Sequence, residues 1–257
     1  MPVDRNFDDL AQRFSRNIYA SAKGKIRLAI LQEDLQNLLL PEAGGRRLRI
    51  LDAGCGSGQF SLSLAEQGHE LVLCDHSAEM LKQASSLFKR QAPAAAVQFI
   101  HAPLQEIARH TSGKFDLILL HAVLEWLVEP FAALQILSGL LHPQGNLSLL
   151  FYNRNSLVLR NMIQGNFRKV ASGNFGGHPK SLTPSNPLDP DEVWRWLASL
   201  GLRILLRSGV RVFHDYMPRE IQQNRSFEDI LEMERRYCRK EPFISLGRYV
   251  HVLAANN

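Results

Sequence analysis

The sequence predicts an α/β fold, a mostly parallel sheet with helices on both faces. Three observations carry that prediction. Five short apolar runs recur between helix-patterned stretches from residue 48 to 152. A glycine-rich turn follows the first of them, at 54–58. The chain, at 257 residues, is long enough for one large domain with an elaboration. Runs that are apolar throughout, rather than alternating, mean strands buried on both faces, as crossover helices require.

Taken in order, residues 4–40 read as helical, with apolar positions at Phe7, Leu10, Phe14, Ile18, Ile26, Ile30, Leu31, Leu35, Leu38 and Leu39. Pro41, Gly44 and Gly45 end that region. Strands are expected at 48–53, 70–75, 97–102, 115–123 and 145–152. Helices are expected from the glycine turn to about residue 67 and near 77–91. Residues 153–189, rich in Asn, Ser, Gly and basic side chains, read as a loop-like insertion after the fifth strand. A helix resumes at 190–201, with Asp189 or Pro190 at its start and Gly201 at its stop. Two closing strands, 202–213 and 247–255, flank a charged helix at 219–240 and bring the sheet to seven strands. The organisation is one domain: helical segment 1–45, ligand-binding half 46–152, insertion 153–189 and C-terminal half 190–257.

Composition is that of an ordinary globular protein, 45% hydrophobic and 21% charged. The longest apolar region, around 115–141, is interrupted by Glu125 and Glu129, so no segment is expected to cross a bilayer. The polar, acidic N-terminus is unlike a targeting peptide. Cys55, Cys74 and Cys238 have no ligand spacing, and the expectation is a reduced, cytoplasmic protein without a metal. Net charge is +5. Its distribution is more informative: no acidic residue lies between Glu129 and Asp189, a span that carries Arg154, Arg160, Arg168, Lys169 and Lys180. Such a one-signed patch attracts a polyanion. A solvated basic loop is the plain alternative.

The turn "LDAGCGSGQ" has Gly54, Gly56 and Gly58 at alternate positions, and Gln59 where a pyrophosphate-binding turn would have its third glycine. That favours a nucleoside-type ligand without a pyrophosphate and disfavours a nicotinamide dinucleotide. Asp75 ends the second strand, about twenty residues on, where a carboxylate can accept bonds from both ribose hydroxyls.

This arrangement resembles the Rossmann-like class I methyltransferases that use S-adenosylmethionine. The resemblance implies a cofactor site at Asp52, Gly54, Cys55, Gly56, Gly58 and Asp75, with Leu104 and Gln105 of "HAPLQEI" beside the adenine. Asp52 would orient the loop or reach the cofactor ammonium through water. His121, Glu125 and Trp126 of "LLHAVLEWLVEP" follow the fourth strand. His121 reads as a cofactor contact, a buried structural histidine being the alternative. Trp126 reads as core packing, and Glu125 as helix surface or a local hydrogen bond.

"DRNFDDLAQRFSRNIYASAKGKIRLAIL", "FYNRNSLVLRNMIQGNF", "GVRVFHDY" and "RYCRKEPFISLGRYVHV" narrow the likeness, nearly end to end, to the bacterial tRNA 5-carboxymethoxyuridine methyltransferases. That resemblance implies esterification of the carboxylate on a modified wobble uridine, with the tRNA anticodon stem-loop as partner and Arg27 at the cofactor. Cys55 and Ser57 depart from the smaller or acidic residues expected there, and Arg154 from an expected small one. A carboxylate acceptor is itself the nucleophile and needs no catalytic base from the chain. Arginine suits it as a clamp. Arg211 is the first candidate, with Arg154 and Arg248 behind it, and His214 and Tyr216 completing the pocket. A surface place on an edge strand is the alternative for Arg211. Tyr19 and Tyr152 could stack on the uracil or belong to the core. Arg160, Arg168, Lys169 and Lys180 would meet anticodon phosphates. A small-molecule carboxyl or O-methyltransferase, and a non-catalytic cofactor-binding module, remain as alternatives.

Overall fold

In the computed structural model, described for residues 4–11, 21–39, 46–177, 183–184 and 186–256, the apolar runs form strands. They are β1 (Arg49–Ala53), β2 (Glu70–Asp75), β3 (Val97–His101), β4 (Phe115–His121), β5 (Leu141–Tyr152), β6 (Leu202–Val210) and β7 (Tyr249–Asn256). They lie in the order β3-β2-β1-β4-β5-β7-β6. β1 to β5 pair in parallel, and β7 runs antiparallel to both its neighbours. The expected residues Phe14, Ile18, Tyr19, Pro41, Gly44, Gly45 and Lys180 lie outside the described residues.

Each parallel strand sends alternate side chains to opposite faces. Ile50, Leu71, Leu73, Leu117 and Leu119 meet Ile26, Ile30, Leu31 and Leu35 of α1 (Ala22–Leu39), Leu64 of α2 (Gln59–Glu66) and Phe88 of α3 (Ala78–Gln91). Leu51, Val72, Ile118 and Leu120 pack on the other face, with Leu134 and Leu137 of α5 (Pro130–Leu140) and Val193 and Leu197 of α8 (Pro190–Ser199). Between these lies the short α4 (Ile107–His110). Each fully buried leucine is worth about 1.5–3 kcal/mol of transfer free energy, so a polar residue in these runs would break a layer. Caps set helix starts: Ser77 Oγ accepts from the Met80 N–H at 3.1 Å, and Asp189 precedes Pro190 at the first position of α8.

Several expectations need correction. Residues 4–7 form no regular element and 8–10 form a turn, so the helical reading of 4–40 fails at its start. Phe7 there lines the ligand cavity instead of a helix face. The first part of the insertion is helical, with α6 (Arg154–Ile163) and α7 (Phe167–Ser172). The charged stretch at 219–240 splits into α9 (Arg219–Asn224) and α10 (Phe227–Tyr237), because Ser226 caps the second helix, accepting from the Asp229 N–H at 3.1 Å. β4 stops at His121 and β6 at Val210, two and three residues early, because Ala122 and Arg211 adopt φ of 60° and 62°. A short α11 (Phe243–Leu246) precedes β7.

Candidate active site

The strand order reverses between β1 and β4, and ligands of open α/β sheets bind at the carboxyl ends of strands flanking such a point. A cavity lies there, walled by the turn after β1, the end of β2, the segment after β3 and the turn after β4. Gly54 and Gly56 have φ of 80° and 54°, a left-handed conformation that costs other residues about 1–2 kcal/mol. A Cβ at Gly54 would strike Val123, so this glycine lets the two strand-end turns touch. A Cβ at Gly56 would meet nothing within 4 Å, so the turn presents bare backbone to the cavity.

Asp75 stands beside it. One carboxylate oxygen accepts the Gly56 N–H and the other the Ser77 N–H, both at 2.8 Å. Each oxygen keeps a lone pair for a ligand hydroxyl. Burial raises the Asp75 pKa, and these bonds oppose the rise. Cys55, Leu104, Gln105 and His121 line the same cavity. Burial pushes the Cys55 thiol well above its usual range, which leaves it a packing group rather than a nucleophile. Asp52 does not line the cavity: it accepts the Ser61 hydroxyl of α2 beneath the glycine turn. Its pKa is raised to about 7, by burial and by the charge on Asp75.

The N-terminal strap closes one side. Asp4 accepts the Val128 N–H at 2.7 Å and the Gln105 side-chain amide at 2.6 Å. Asn6 donates to the His76 carbonyl, and Phe7 meets Trp126 edge-on at 4.9 Å. Trp126 therefore faces the cavity and is not core packing. Sequence reasoning missed Asp4 and Phe7, because a helical pattern was read through them. Glu125, read as helix surface or a local hydrogen bond, is completely buried in the turn at Leu124–Trp126, and neither carboxylate oxygen makes a well-aligned hydrogen bond among the described residues. Burial raises its pKa to about 7.

Arg27 of α1 lines the cavity, buried, with no ion pair within 4 Å among the described residues and its Nε unpartnered, while its charge reaches the buried Glu125 carboxylate. Its guanidinium lies over the Tyr249 ring, 4.6 Å from the centroid. Arg211 lies over the same ring at 5.2 Å, and Arg248 over Tyr152 at 4.9 Å. The two tyrosines meet at 5.2 Å. Arg211, Arg248, Tyr152 and Tyr249 thus form one cationic, aromatic cluster that Arg27 joins to the cavity. Tyr249 gave no sequence signal beyond its strand.

Among the described residues, the carboxylate of this cluster is Asp215. It lies 3.1 Å from Arg211 Nε and 3.2 Å from Lys23 Nζ, with His214 Nδ1 at 3.8 Å. Burial would raise its pKa, but Arg211, His214 and Lys23 together hold it well below the usual range. The Arg211 contact is close yet misaligned, since neither Arg211 Nε nor Asp215 Oδ2 has a directed hydrogen bond. Burial lowers the Arg211 pKa, with Arg27 and Arg248 adding to it and Asp215 opposing. Buried Glu234 of α10 builds the turn that carries Arg211: it accepts the N–H groups of Val212, Phe213 and His214 at 2.7, 3.0 and 2.8 Å.

Other candidates fall elsewhere. The Tyr216 hydroxyl donates to the Leu246 carbonyl at 2.7 Å and so fastens two backbone segments. Arg154 is exposed in a separate groove with Glu129 and Asp189, away from the Arg211 cluster, because it opens α6 on the far side of its cap Asn153. Tyr19 lies outside the described residues. Arg160, Arg168 and Lys169 line a groove between α6 and α7 that reaches Arg248, and Phe167 stands there 67% exposed.

Comparison with known proteins follows from this geometry. A family described as "Methyltransferase domain" matches residues 51–149, the span of the glycine turn and cavity. The tRNA 5-carboxymethoxyuridine methyltransferase of Escherichia coli strain K12 is 48% identical over 98% of this chain and 96% of its own. The chain belongs to that family. The tRNA 5-carboxymethoxyuridine methyltransferase of Escherichia coli O157:H7 matches to the same extent. Likeness to the ubiquinone biosynthesis O-methyltransferase of Psychrobacter cryohalolentis is confined to 44% of each chain, at 32% identity. Among solved structures, the magnesium protoporphyrin IX methyltransferase of Synechocystis PCC 6803 with bound SAH aligns with a TM-score of 0.67 at 16% identity, over 98% of this chain and 96% of that one. The tRNA 5-carboxymethoxyuridine methyltransferase family therefore shares its fold with methyltransferases of quite different acceptors.

Proposed function

We propose that the chain transfers a methyl group from S-adenosylmethionine to the carboxylate of 5-carboxymethoxyuridine at the tRNA wobble position, giving the methyl ester. Relatives that match over 96% of their length carry that name, and its fold neighbours hold SAM or SAH. The observation that carries the reading is the buried Arg211, whose donors are incompletely committed to Asp215 and which shares the Tyr249 ring with Arg27.

The cavity fits the cofactor by its own chemistry. The unpartnered Arg27 Nε suits a carboxylate, the open face of Gly56 admits close approach, and Asp75 has lone pairs left for ribose hydroxyls. Leu104, Gln105 and His121 would complete the pocket, with Cys55 and Gly54 as wall and Asp52 as a brace below; Gly58, expected at the cofactor, lies outside the cavity lining and packs the turn against Ala84 and Phe88. When bound, S-adenosylmethionine supplies an electrophilic methyl group. The acceptor carboxylate is ionised near neutral pH, so no side chain has to remove a proton.

Arg211, with Arg248 beside it, would bind that carboxylate by one oxygen and leave the other free. Tyr152 and Tyr249 would bound the uracil. Asp215 keeps Arg211 from neutralising the nucleophile outright, because part of the arginine's charge is already balanced. The chain's contribution is chiefly alignment, which can supply about 7–11 kcal/mol in favourable displacements. The α6–α7 groove, with Arg160, Arg168, Lys169 and exposed Phe167, supports contact with the anticodon arm, since cations hold phosphates and aromatics hold unpaired bases. A tRNA substrate puts the enzyme's work in the cytoplasm.

The test is methyl transfer from labelled S-adenosylmethionine to bulk tRNA from cells lacking the gene. The expected product is a wobble nucleoside whose label is released by mild alkali, as an ester requires. Label stable to alkali, or transfer to small carboxylic acids with none to tRNA, would overturn the reading.

A further inference from the structure

A buried polar chain runs from the cavity through the sheet. His121 Nε2 on β4 lies 2.8 Å from Ser148 Oγ on β5, and that oxygen lies 2.8 Å from His251 Nε2 on β7. His251 Nδ1 lies 2.7 Å from Asp34 Oδ2 on α1. The other Asp34 oxygen accepts from Ser208 Oγ at 3.0 Å and from Arg239 Nε at 2.8 Å. Ser148 and His251 are completely buried, and Asp34 is 4% exposed. None of the three lines the cavity, whereas His121 does.

Proton positions follow from counting donors. The Asp34 carboxylate is acceptor-only, so His251 must present a proton on Nδ1. Arg239 already balances the carboxylate, Glu33 beside it is paired with Arg235 and Arg239, and the charge of Arg27 reaches His121 from the cavity side. A second cation at a fully buried ring would go uncompensated, so neutral His251 is favoured, with a bare Nε2. That nitrogen accepts the Ser148 hydroxyl proton. Ser148 Oγ then accepts from His121, whose proton sits on Nε2. His121 Nδ1 is left as a lone-pair nitrogen with no hydrogen-bond partner among the described residues.

We infer that Asp34, His251 and Ser148 are positioning residues that fix His121 as the Nε2-protonated tautomer, leaving an accepting nitrogen for a cationic group of the bound cofactor. An accepting nitrogen favours an ammonium, and a donating one would repel it. Burial, with the charge of Arg27 adding to it, keeps His121 neutral, which agrees with this assignment. The cofactor part rests on the cavity being the S-adenosylmethionine site; the proton arrangement does not.

Long-range proton–nitrogen NMR of the ¹⁵N-histidine-labelled, cofactor-free protein tests the arrangement directly. The expected spectrum has His121 neutral with Nε2 protonated and His251 neutral with Nδ1 protonated. A charged His251, or His121 protonated on Nδ1, overturns the inference without touching the cavity reading. Calorimetry with S-adenosylhomocysteine supplies the second readout. Ser148→Ala is expected to mix the two His121 tautomers and weaken binding about fivefold, the worth of one hydrogen bond. Unchanged tautomer and affinity in that variant would also overturn the inference. Failure of the wild type to bind would instead remove the cavity reading.

Discussion

Arg211 sits in a backbone conformation that few non-glycine residues adopt, with its charge almost wholly out of water. Glu234 holds the turn, and Asp215 holds the charge. Strain of this kind persists where surroundings over-determine it, and it gathers at functional sites. Replacing Arg211 with Lys keeps a charge but loses the planar fork. Arg211→Lys should lower kcat/KM for tRNA about 10–100-fold, the loss of one charged hydrogen bond, while leaving S-adenosylhomocysteine affinity within about twofold. Single-turnover kinetics alongside calorimetry checks both. Residue chemistry was partly legible in advance. Glycine spacing and a strand-end acid indicate Gly54, Gly56 and Asp75 because local geometry demands those residue types. Tyr249, Glu234 and Ala122 escaped, since each acts through partners distant in sequence or through a backbone angle that no residue type announces. Glu125 misled because carboxylates are seldom buried without partners.

At the scale of elements, α6 and α7 turn a stretch read as loop into a groove. Arg160 on α6, with Arg168 and Lys169 on α7, makes it cationic, and Asn153, the cap of α6, anchors that helix by donating to the Ser245 and Gly247 carbonyls at 2.9 and 2.8 Å. Neutralising the three cations together should weaken tRNA binding and reduce the slope of log affinity against log salt by about 2, as loss of three phosphate contacts to single-stranded RNA requires. Cofactor affinity should not move. Filter binding across a salt series measures the slope, and an unchanged slope would detach the groove from tRNA. The strands were the most legible elements, β2 to the residue, because burial on both faces leaves an unbroken apolar run. Their carboxyl ends were not: β4 and β6 stop early at left-handed residues that read as ordinary strand. The break in the stretch at 219–240 was visible only as a serine, which caps or continues a helix according to its surroundings.

Across the whole molecule, buried carboxylates set the response to pH. Asp34 and Asp215 have lowered pKa values, so each stabilises the fold above its unfolded pKa and loses that contribution as pH falls through the folded one. Glu125 acts in the opposite sense. Its pKa rises from 4.5 unfolded to about 7 folded, so the native state holds a proton that the unfolded chain has released, and stability falls as pH rises across that window. Glu125→Gln should therefore gain stability relative to wild type between pH 5 and pH 8, by up to about 3 kcal/mol. Urea unfolding at the two pH values reads the difference, and a constant offset would contradict the buried ionisation.

The strap of residues 4–7 ties together segments that follow three different strands, through His76, Gln105 and Val128. Breaking its two Asp4 bonds by Asp4→Ala should speed S-adenosylhomocysteine dissociation about tenfold, as loss of charged hydrogen bonds predicts, with stopped-flow displacement as the measurement. Spent donor and fresh donor would then share a single gated doorway. An enzyme so built would set its pace by how often the four residues of this strap let go, and the anticodon could wait at the other door while they do.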